Sequence, residues 1–202
     1  MTAKVAHLFP TPVIVDELEG ADALNAELET VILDQRRQDA GLQLSNRGGW
    51  QSKRNFPQWA GDPGRRVVEH AMALATANTG HRLGPEALNW SVDVWANVSA
   101  SGGFNMPHIH GGTYWSAVYY VRAGEGEGGQ LVLHDPRMPA LRMHAPGLRF
   151  LDAGPDVRSE IIPKSGMMVL FPAWLLHSVE PWQGEGHRIS IAMNIRAALA
   201  RR

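Results

Sequence analysis

The sequence contains no cysteine among its 202 residues. This absence excludes disulfide bonds, thiolate metal sites and cysteine nucleophiles together. A metal ion bound by this chain would therefore have to be held by histidine and carboxylate side chains. Nine histidines are present, and three of them lie in positions typical of metal ligands.

An excess of charge of either sign is also absent. The chain has 19 basic and 20 acidic residues, which gives a formal net charge of -1 at pH 7. Proteins that bind nucleic acids carry clustered positive charge. The balance therefore argues against a nucleic-acid partner and favours a small or neutral one.

Long hydrophobic runs are missing as well. The N-terminal residues contain no apolar signal-peptide core, and no stretch approaches the ~18 apolar residues of a membrane span. We therefore expect no membrane contact and a cytoplasmic location. A length of 202 residues fits one domain with a large core, because β-barrels often reach this size without splitting.

Helical patterns are confined to the first half of the chain. Apolar residues recur at helical spacing in residues 21–37, with acidic residues early and basic residues late, as the helix macrodipole favours. A second helix is predicted between the Asp62-Pro63 pair, a typical start, and Gly80, a typical stop. Residues 8–15, apolar with two prolines, are typical of an edge strand.

After Pro85 the hydrophobic period changes from helical to alternating. In residues 90–98 one face of the predicted strand is apolar and the other presents Asp93, Trp95 and Asn97. Such a strand fits a sheet with helices behind it and a pocket in front. Further strands are predicted at residues 114–122, 130–134, 141–151, 159–163, 167–171 and 188–195. Between them, residues 99–107 are predicted to form a loop, residues 123–129 a hairpin turn and Gly154-Pro155 a turn. The turn-rich residues 42–56 receive no assignment.

About eight short strands, with helices only in the first half, predict a mainly β fold. The expected architecture is a double-sheet barrel or jelly roll. Residues 1–202 are expected to form a single domain. In it, residues 1–89 supply an N-terminal strand and supporting helices, and residues 90–196 form the barrel core that carries the site.

The clearest candidate for a functional site begins at His108 and His110. Residues two apart on an extended segment point to the same side, so these imidazoles can approach one point in space. His177 is the best candidate for a third imidazole, because enough chain separates it from His110 to return through several strands. Oxygen activation by non-haem iron requires three protein ligands on one face of the metal, which leaves three positions for cosubstrate and dioxygen.

Arg188 and Ser190 lie on the same side of the last predicted strand. A guanidinium fork beside a hydroxyl suits the bidentate capture of a carboxylate. A dicarboxylate cosubstrate would use both halves of the site, because one carboxylate could chelate the metal while the other meets Arg188.

At these positions the sequence resembles the Fe(II)- and 2-oxoglutarate-dependent oxygenases. Within that superfamily it resembles a group of oxygenases found in bacteria and phages. The resemblance covers residues 90–195, with a weaker echo near the N-terminus. It rests on His108-x-His110, on residues 116–121, on Gly128-Gly-Gln-Leu131, on residues 166–171 leading to His177, and on Arg188-Ile-Ser190.

The resemblance implies a double-stranded β-helix, a cupin-like barrel, with Fe(II) held by His108, His110 and His177. It also implies 2-oxoglutarate and dioxygen as cosubstrates. In similar enzymes the tyrosine that matches Tyr120 helps to hold the oxoglutarate, here together with Arg188 and Ser190. The expected reaction is the hydroxylation of a C–H bond, with succinate and carbon dioxide as coproducts.

One residue departs from the pattern of that superfamily, which normally has Asp or Glu where this chain has His110. Three neutral imidazoles leave the full positive charge on the metal, whereas a carboxylate offsets part of it and favours iron. Three possibilities stay open: a three-histidine iron centre, His110 placed behind the metal ligands, or a different ion. Asp135 is a nearby carboxylate, but the Asp-Pro pair is expected to form a turn.

Two other functions fit the same residues. A cupin-like three-histidine metalloenzyme could act without an oxo acid, cleaving its substrate with dioxygen or, with zinc, hydrating it. A non-enzymatic barrel could instead bind a small carboxylate in the pocket. The substrate classes left open are a peptide side chain, a free amino acid and a small metabolite, and the sequence makes no prediction of oligomeric state.

Overall fold

The computed structural model describes residues 4, 6–137 and 158–198. Its helices are α1 (Ala21–Gln38), α2 (Phe56–Trp59) and α3 (Gly61–Ala77), followed by a short 3-10 helix at Pro85–Ala87. Its strands are β1 (Ile14–Glu17), β2 (Asn46–Gln51), β3 (Asn89–His108), β4 (Trp115–Arg122), β5 (Gly126–Glu127), β6 (Leu131–His134), β7 (Arg158–Ile161), β8 (Met167–Pro172), β9 (His177–Val179), β10 (Gln183–Gly184) and β11 (Arg188–Ala198). Within that part of the chain, no helix combines the length and the apolar character that crossing a bilayer requires.

Most strands belong to one curled antiparallel sheet. Its order is β1-β8-β4-β11-β3-β9-β6-β7, with β2 paired along β3, while β5 and β10 form a separate two-stranded ribbon. The long strand β3 serves both halves of the sheet, because its first half pairs with β11 up to Ser99 and its last residues pair with β9. The strands β1, β8, β4 and β11 with the first half of β3 form a larger layer. The strands β9, β6 and β7 with the end of β3 form a smaller layer that faces it.

The larger layer has a different partner on each face. On the outer face, alternate residues of β4 and β11 such as Tyr119 and Ile191 pack against Leu28 of α1 and Val67 of α3. On the inner face, residues of β4 and β8 pack against the smaller layer; this inner cluster includes Tyr120, Val169, Phe171, Leu131 and Leu133. Full burial of one such side chain contributes ~1.5–3 kcal/mol. The helices thus fix the layer from whose inner face the site residues project.

This architecture is a double-stranded β-helix, and the predicted fold class is confirmed. The two predicted helices correspond to α1 and α3, whereas the first predicted strand, at residues 8–15, overlaps the edge strand β1 only at residues 14–15. The predicted strand at residues 141–151 and the turn at Gly154-Pro155 lie outside the described residues. The extent of a single domain over residues 1–202 stays a prediction.

Two local predictions are wrong. Residues 99–107 are not a loop, because β3 continues through them and pairs with β2, a strand in the segment that received no assignment. Residues 123–129 do not close a hairpin, since β4 pairs with β8 and β11 whereas β6 pairs with β7 and β9. The glycine-rich segment instead crosses from one layer to the other. In both places tertiary pairing outweighed local propensity.

Candidate metal and cosubstrate site

The three predicted histidines meet in the cavity between the two layers. One ligand atom from each of His108, His110 and His177 lies within 4.8 Å of the others. The ring centroids are 5.0 Å apart for His108 and His110, 4.3 Å for His108 and His177, and 5.0 Å for His110 and His177. Within the described ranges, this is the one cluster of histidine and acidic side chains compact enough to hold an ion.

The sheet and one turn bring these histidines together. His108 and His177 are direct partners across β3 and β9. His110 lies just beyond β3, where its backbone N–H donates to the carbonyl of Ala173 at 3.0 Å. Its own carbonyl accepts from the hydroxyl of Thr113 at 2.7 Å. The segment between β8 and β9 therefore fixes the backbone of His110 as well as that of His177.

In two of the histidines, a hydrogen bond to a backbone carbonyl determines which ring nitrogen carries the proton. Nδ1 of His108 lies 2.7 Å from the carbonyl oxygen of Met106, and Nδ1 of His177 lies 2.9 Å from that of Leu175. A carbonyl oxygen can only accept, so Nδ1 carries the proton in both rings and Nε2 keeps its lone pair. Histidines that bind metals in proteins are commonly oriented in this way by a hydrogen bond from the other nitrogen.

The cluster is held in the neutral form. Burial, reinforced by the neighbouring His108, lowers the pKa of His110 to about 4 and that of His177 to about 3. Burial also lowers the pKa of His108. Metal binding requires deprotonated imidazole. At neutral pH the three rings therefore offer lone pairs without first releasing protons.

A buried cation lies in the same cavity. Arg188 is only 4% exposed and its Nη2 donates to the carbonyl of Gly129 at 3.1 Å. Its guanidinium carbon lies 5.1 Å from the ring centroid of Tyr120. Burial lowers the pKa of Arg188, and among the described residues no carboxylate counteracts this. The side chain is thus a buried positive charge with no negative partner of its own in this part of the chain.

The predicted companions of Arg188 lie beside it on the inner face. Ser190 of β11 is in register with Asn97 of β3 on one side and with Tyr120 of β4 on the other. Burial raises the pKa of Tyr120, so its phenol stays protonated and can donate. The guanidinium lies over the ring, and the hydroxyl makes no hydrogen bond of normal geometry in the described structure.

Several buried polar atoms around this cavity lack partners among the described residues. They include the hydroxyls of Ser116 and Tyr120 and the Nε of Arg188. An unpaired buried polar group costs ~1–3 kcal/mol, and more when it is charged. Three such atoms on residues that line one cavity indicate that a polar ligand belongs there. A carboxylate of 2-oxoglutarate fits, since it can accept from both Tyr120 and Arg188, and the imidazole cluster fits a divalent metal.

Some of the other residues that line the cavity could be predicted from the sequence, and others could not. Trp95 and Asn97 line it, as the alternation in β3 indicates. Gln51 and Ser45 line it as well but come from the segment without an assignment, where no local signal points to them. Asp135 does not join the cluster, because Arg137 donates to both of its carboxylate oxygens in a turn.

Solved structures of known proteins share this fold. A prolyl-4-hydroxylase from Pseudomonas putida superimposes with a TM-score of 0.62 at 20% identity, over 93% of this chain and 94% of that one. A prolyl hydroxylase from Trichoplax adhaerens, in complex with a hypoxia inducible factor peptide fragment, gives 0.63 at 14% identity, over 92% and 83%. HygX from Streptomyces hygroscopicus, with nickel, 2-oxoglutarate and hygromycin B bound, gives 0.60 at 15%, over 93% and 84%. At these identities the similarity shows the fold alone.

A match to a family model shows the class of the protein, the oxidoreductases that use Fe(II) and 2-oxoglutarate. The family model described as "Putative 2OG-Fe(II) oxygenase" matches residues 93–194, slightly more than half of the chain. The chain belongs to this family of 2-oxoglutarate- and Fe(II)-dependent oxygenases. A search of curated protein sequences finds no match. The predicted family and the predicted cofactors, Fe(II) and 2-oxoglutarate, are confirmed.

Proposed function

We propose that the protein is a dioxygenase that couples the oxidative decarboxylation of 2-oxoglutarate to the hydroxylation of a C–H bond. His108, His110 and His177 hold the Fe(II) in this proposal. The observation that carries it is the neutral three-imidazole cluster in one cavity with a buried guanidinium that lacks a described carboxylate partner.

When bound, Fe(II) and 2-oxoglutarate supply the activation of dioxygen and the oxidising power. The chain's own residues position the histidine ligands and shape the surroundings of the cluster. Backbone carbonyls orient the rings of His108 and His177. Phe171, whose ring centroid lies 4.8 Å from that of His177, covers one side of the cluster and keeps water from it.

Arg188, Ser190 and Tyr120 hold the far carboxylate of 2-oxoglutarate. A guanidinium and a phenol donate charge-assisted hydrogen bonds to a carboxylate, and these are stronger in a buried site than in water. The carboxylate in turn neutralises the charge of Arg188. Binding of the oxo acid therefore provides hydrogen-bond partners for the hydroxyl of Tyr120 and the guanidinium of Arg188.

His110 serves as the third metal ligand in place of the acidic residue found in the wider superfamily. Its ring lies 5.0 Å from each of the other two, which supports a three-histidine centre over a position behind the ligands. All three rings are neutral, so the metal keeps its full charge. The three imidazoles would therefore hold a metal whose charge is offset only in part, by the second carboxylate of the oxo acid, because the first one meets Arg188.

The experiment that tests the proposal is an anaerobic titration of the Fe(II)-loaded protein with 2-oxoglutarate. Chelation of the iron should give a visible charge-transfer band. We expect the His177→Ala variant to lose the band, because a ligand that lies directly opposite His108 is removed. The exposed His81 lies in a turn, so His81→Ala serves as the control and should keep the band.

Absence of the band in the wild-type protein, or its survival in His177→Ala, would contradict the proposed centre. Formation of succinate above a protein-free control, together with transfer of one oxygen atom to a substrate, would establish the dioxygenase reaction. The substrate is a peptide or a small molecule; the similar folds bind a peptide fragment in one case and hygromycin B in another.

A further inference from the structure

The inner face of the larger layer runs from one cationic end to another. Across β3 and β11, Arg188 is in register with Ser99 and Asn194 with Asp93. A strand advances ~3.4 Å per residue, so Arg188 and Asn194 lie ~20 Å apart along the sheet. Trp95 stands between these ends, and its ring centroid is 6.0 Å from that of His110. His110 therefore borders the part of the cavity that leads away from Arg188.

Arg54 lies at this second end. Its guanidinium carbon is 5.6 Å from the ring centroid of Trp95, and its side chain is 51% exposed. The contacts from Arg54 to Trp95 and from Trp95 to His110 thus lead from the surface to the candidate metal centre.

The positive charge at this end exceeds the negative charge that contacts it. Asp93 is bound through both carboxylate oxygens by Arg196, and Arg54 adds one contact at 3.1 Å through Nη1. Two guanidinium groups therefore share one carboxylate. The Nε/Nη2 edge of Arg54 forms no hydrogen bond within the described structure, and this edge suits bidentate binding of a second carboxylate.

No side chain that lines the described cavity would repel an anion. Its polar lining consists of histidine, serine, asparagine, glutamine, tyrosine and arginine side chains, and no aspartate or glutamate of the described chain lines it. A substrate that carries an acidic group would thus meet favourable charge near Arg54 and no acidic side chain in the described lining.

We propose that Arg54 is a specificity-determining residue and that the substrate carries a carboxylate, which binds Arg54 beside Trp95 while the carbon to be oxidised faces the three histidines. This inference rests on the proposed function, because it assumes that the reaction takes place at that cluster. It adds the chemical class of the substrate and the end of the cavity at which the substrate enters.

The test uses two matched pairs of probes. One pair is N-acetyl-glutamate amide and N-acetyl-glutamine amide, and the other is a glycine-flanked pentapeptide with a central glutamate or glutamine. Each probe is titrated anaerobically into the Fe(II)- and 2-oxoglutarate-loaded protein, with the change in the charge-transfer band and calorimetry as readouts. We expect the acidic member of each pair to bind at least about five-fold more tightly than the matching amide.

Substitution of Arg54 should remove this preference. Arg54→Gln should bring acid and amide within about two-fold, whereas Arg54→Lys should keep part of the difference because it keeps the charge. Arg65, an exposed arginine of α3 that pairs with Asp62 and Glu69, provides the control, and Arg65→Gln should leave the preference unchanged. Asp93 stays paired with Arg196 in the Arg54 variants, so the fold should be retained.

Equal binding of acid and amide, binding of neither, or a preference that survives Arg54→Gln would overturn the inference. The band formed with 2-oxoglutarate before any probe is added reports separately on the proposed function. If that band forms in both wild type and Arg54→Gln but no acidic preference appears, only the inference about the substrate fails. A preference for the acid in the peptide pair alone assigns the carboxylate to a peptide side chain, and a preference in both pairs admits a free acid.

Discussion

Arg188 lines the cavity, whereas Arg54 lies outside it against the lining residue Trp95, and the two arginines differ in burial and in partners. Arg188 is buried and has no described carboxylate partner. Arg54 is half-exposed and shares Asp93 with Arg196. A buried unpaired cation costs several kcal/mol, so it is expected only where a bound anion is part of the protein's function. An exposed ion pair contributes ~0–1 kcal/mol and can only adjust selectivity. The closed end therefore suits an obligatory cosubstrate, and the open end suits a substrate.

The largest expected effect follows from removing the buried charge. Arg188→Met should weaken 2-oxoglutarate binding by about 100-fold or more, because a buried charge pair of ~3 kcal/mol or more is lost. The same variant without cosubstrate should be at least as stable as the wild type, since an uncompensated charge is removed from the interior. Band titration gives the affinity, and thermal unfolding gives the stability.

Arg54→Met is the matched control for that experiment. It should change the affinity for 2-oxoglutarate by no more than about two-fold, because exposed ion pairs are weak. If the two arginine variants weaken 2-oxoglutarate binding equally, the distinction between a cosubstrate end and a substrate end is wrong.

A smaller effect is expected at Gly129, which supports the buried arginine. Its φ is +71°, and a Cβ there would lie 3.3 Å from Nε of Arg188 and 3.3 Å from Cδ1 of Trp182. Gly129→Ala should therefore displace the guanidinium and weaken 2-oxoglutarate binding by about ten-fold, in addition to a backbone strain of ~1–2 kcal/mol. Band titration and urea unfolding measure the two effects.

Gly20 offers a control with the same strain but no neighbour. Its φ is +68°, and a Cβ there would meet nothing within 4 Å. Gly20→Ala should lose similar stability and keep full affinity for 2-oxoglutarate. Equal affinities of the two alanine variants for 2-oxoglutarate would show that Gly129 is needed only for the backbone conformation and does not position Arg188.

A separate prediction concerns the pH dependence of stability, which follows from the histidines of the metal site. The pKa values of His110 and His177, about 4 and about 3, lie below the ~6.5 of an unfolded chain. As the pH falls, the unfolded chain therefore binds protons first. The free energy of unfolding of the metal-free protein should be highest above pH ~6.5 and decrease from there towards pH ~3.

Urea unfolding at several pH values measures this slope. His177→Ala should make the decrease shallower, whereas His81→Ala, at an exposed position, should leave it unchanged. A free energy of unfolding that does not fall between pH ~6.5 and ~4.5 would contradict burial of neutral imidazoles.

Much of the site could be predicted because strands alternate. His108 and His110 share a side of an extended segment, and so do Arg188 and Ser190. The same period places Tyr120 on the inner face and Tyr119 on the outer one, where its hydroxyl donates to Asn25 of α1 at 2.7 Å. These inferences need only the local period of the chain.

Other features could not be predicted, because they depend on which segments pair. Polar, glycine-containing residues around Gly102 have no alternation, yet they form part of β3 because β2 lies beside them. The glycine-rich segment at residues 123–129 has the composition of a turn, yet it crosses between layers. Arg54 gave no signal in the sequence, since its contact with Trp95 joins residues that are distant along the chain.

The sequence by itself determined the two long helices, most strands of the barrel core, the inward direction of the candidate ligands and the family. Those properties follow from side-chain period and from short motifs, which are local. The tertiary structure decided that three imidazoles converge, that Arg188 is buried without a described carboxylate and that Arg54 stands at the open end. Such properties arise only when distant strands pair, because burial and charge balance belong to the space between the layers.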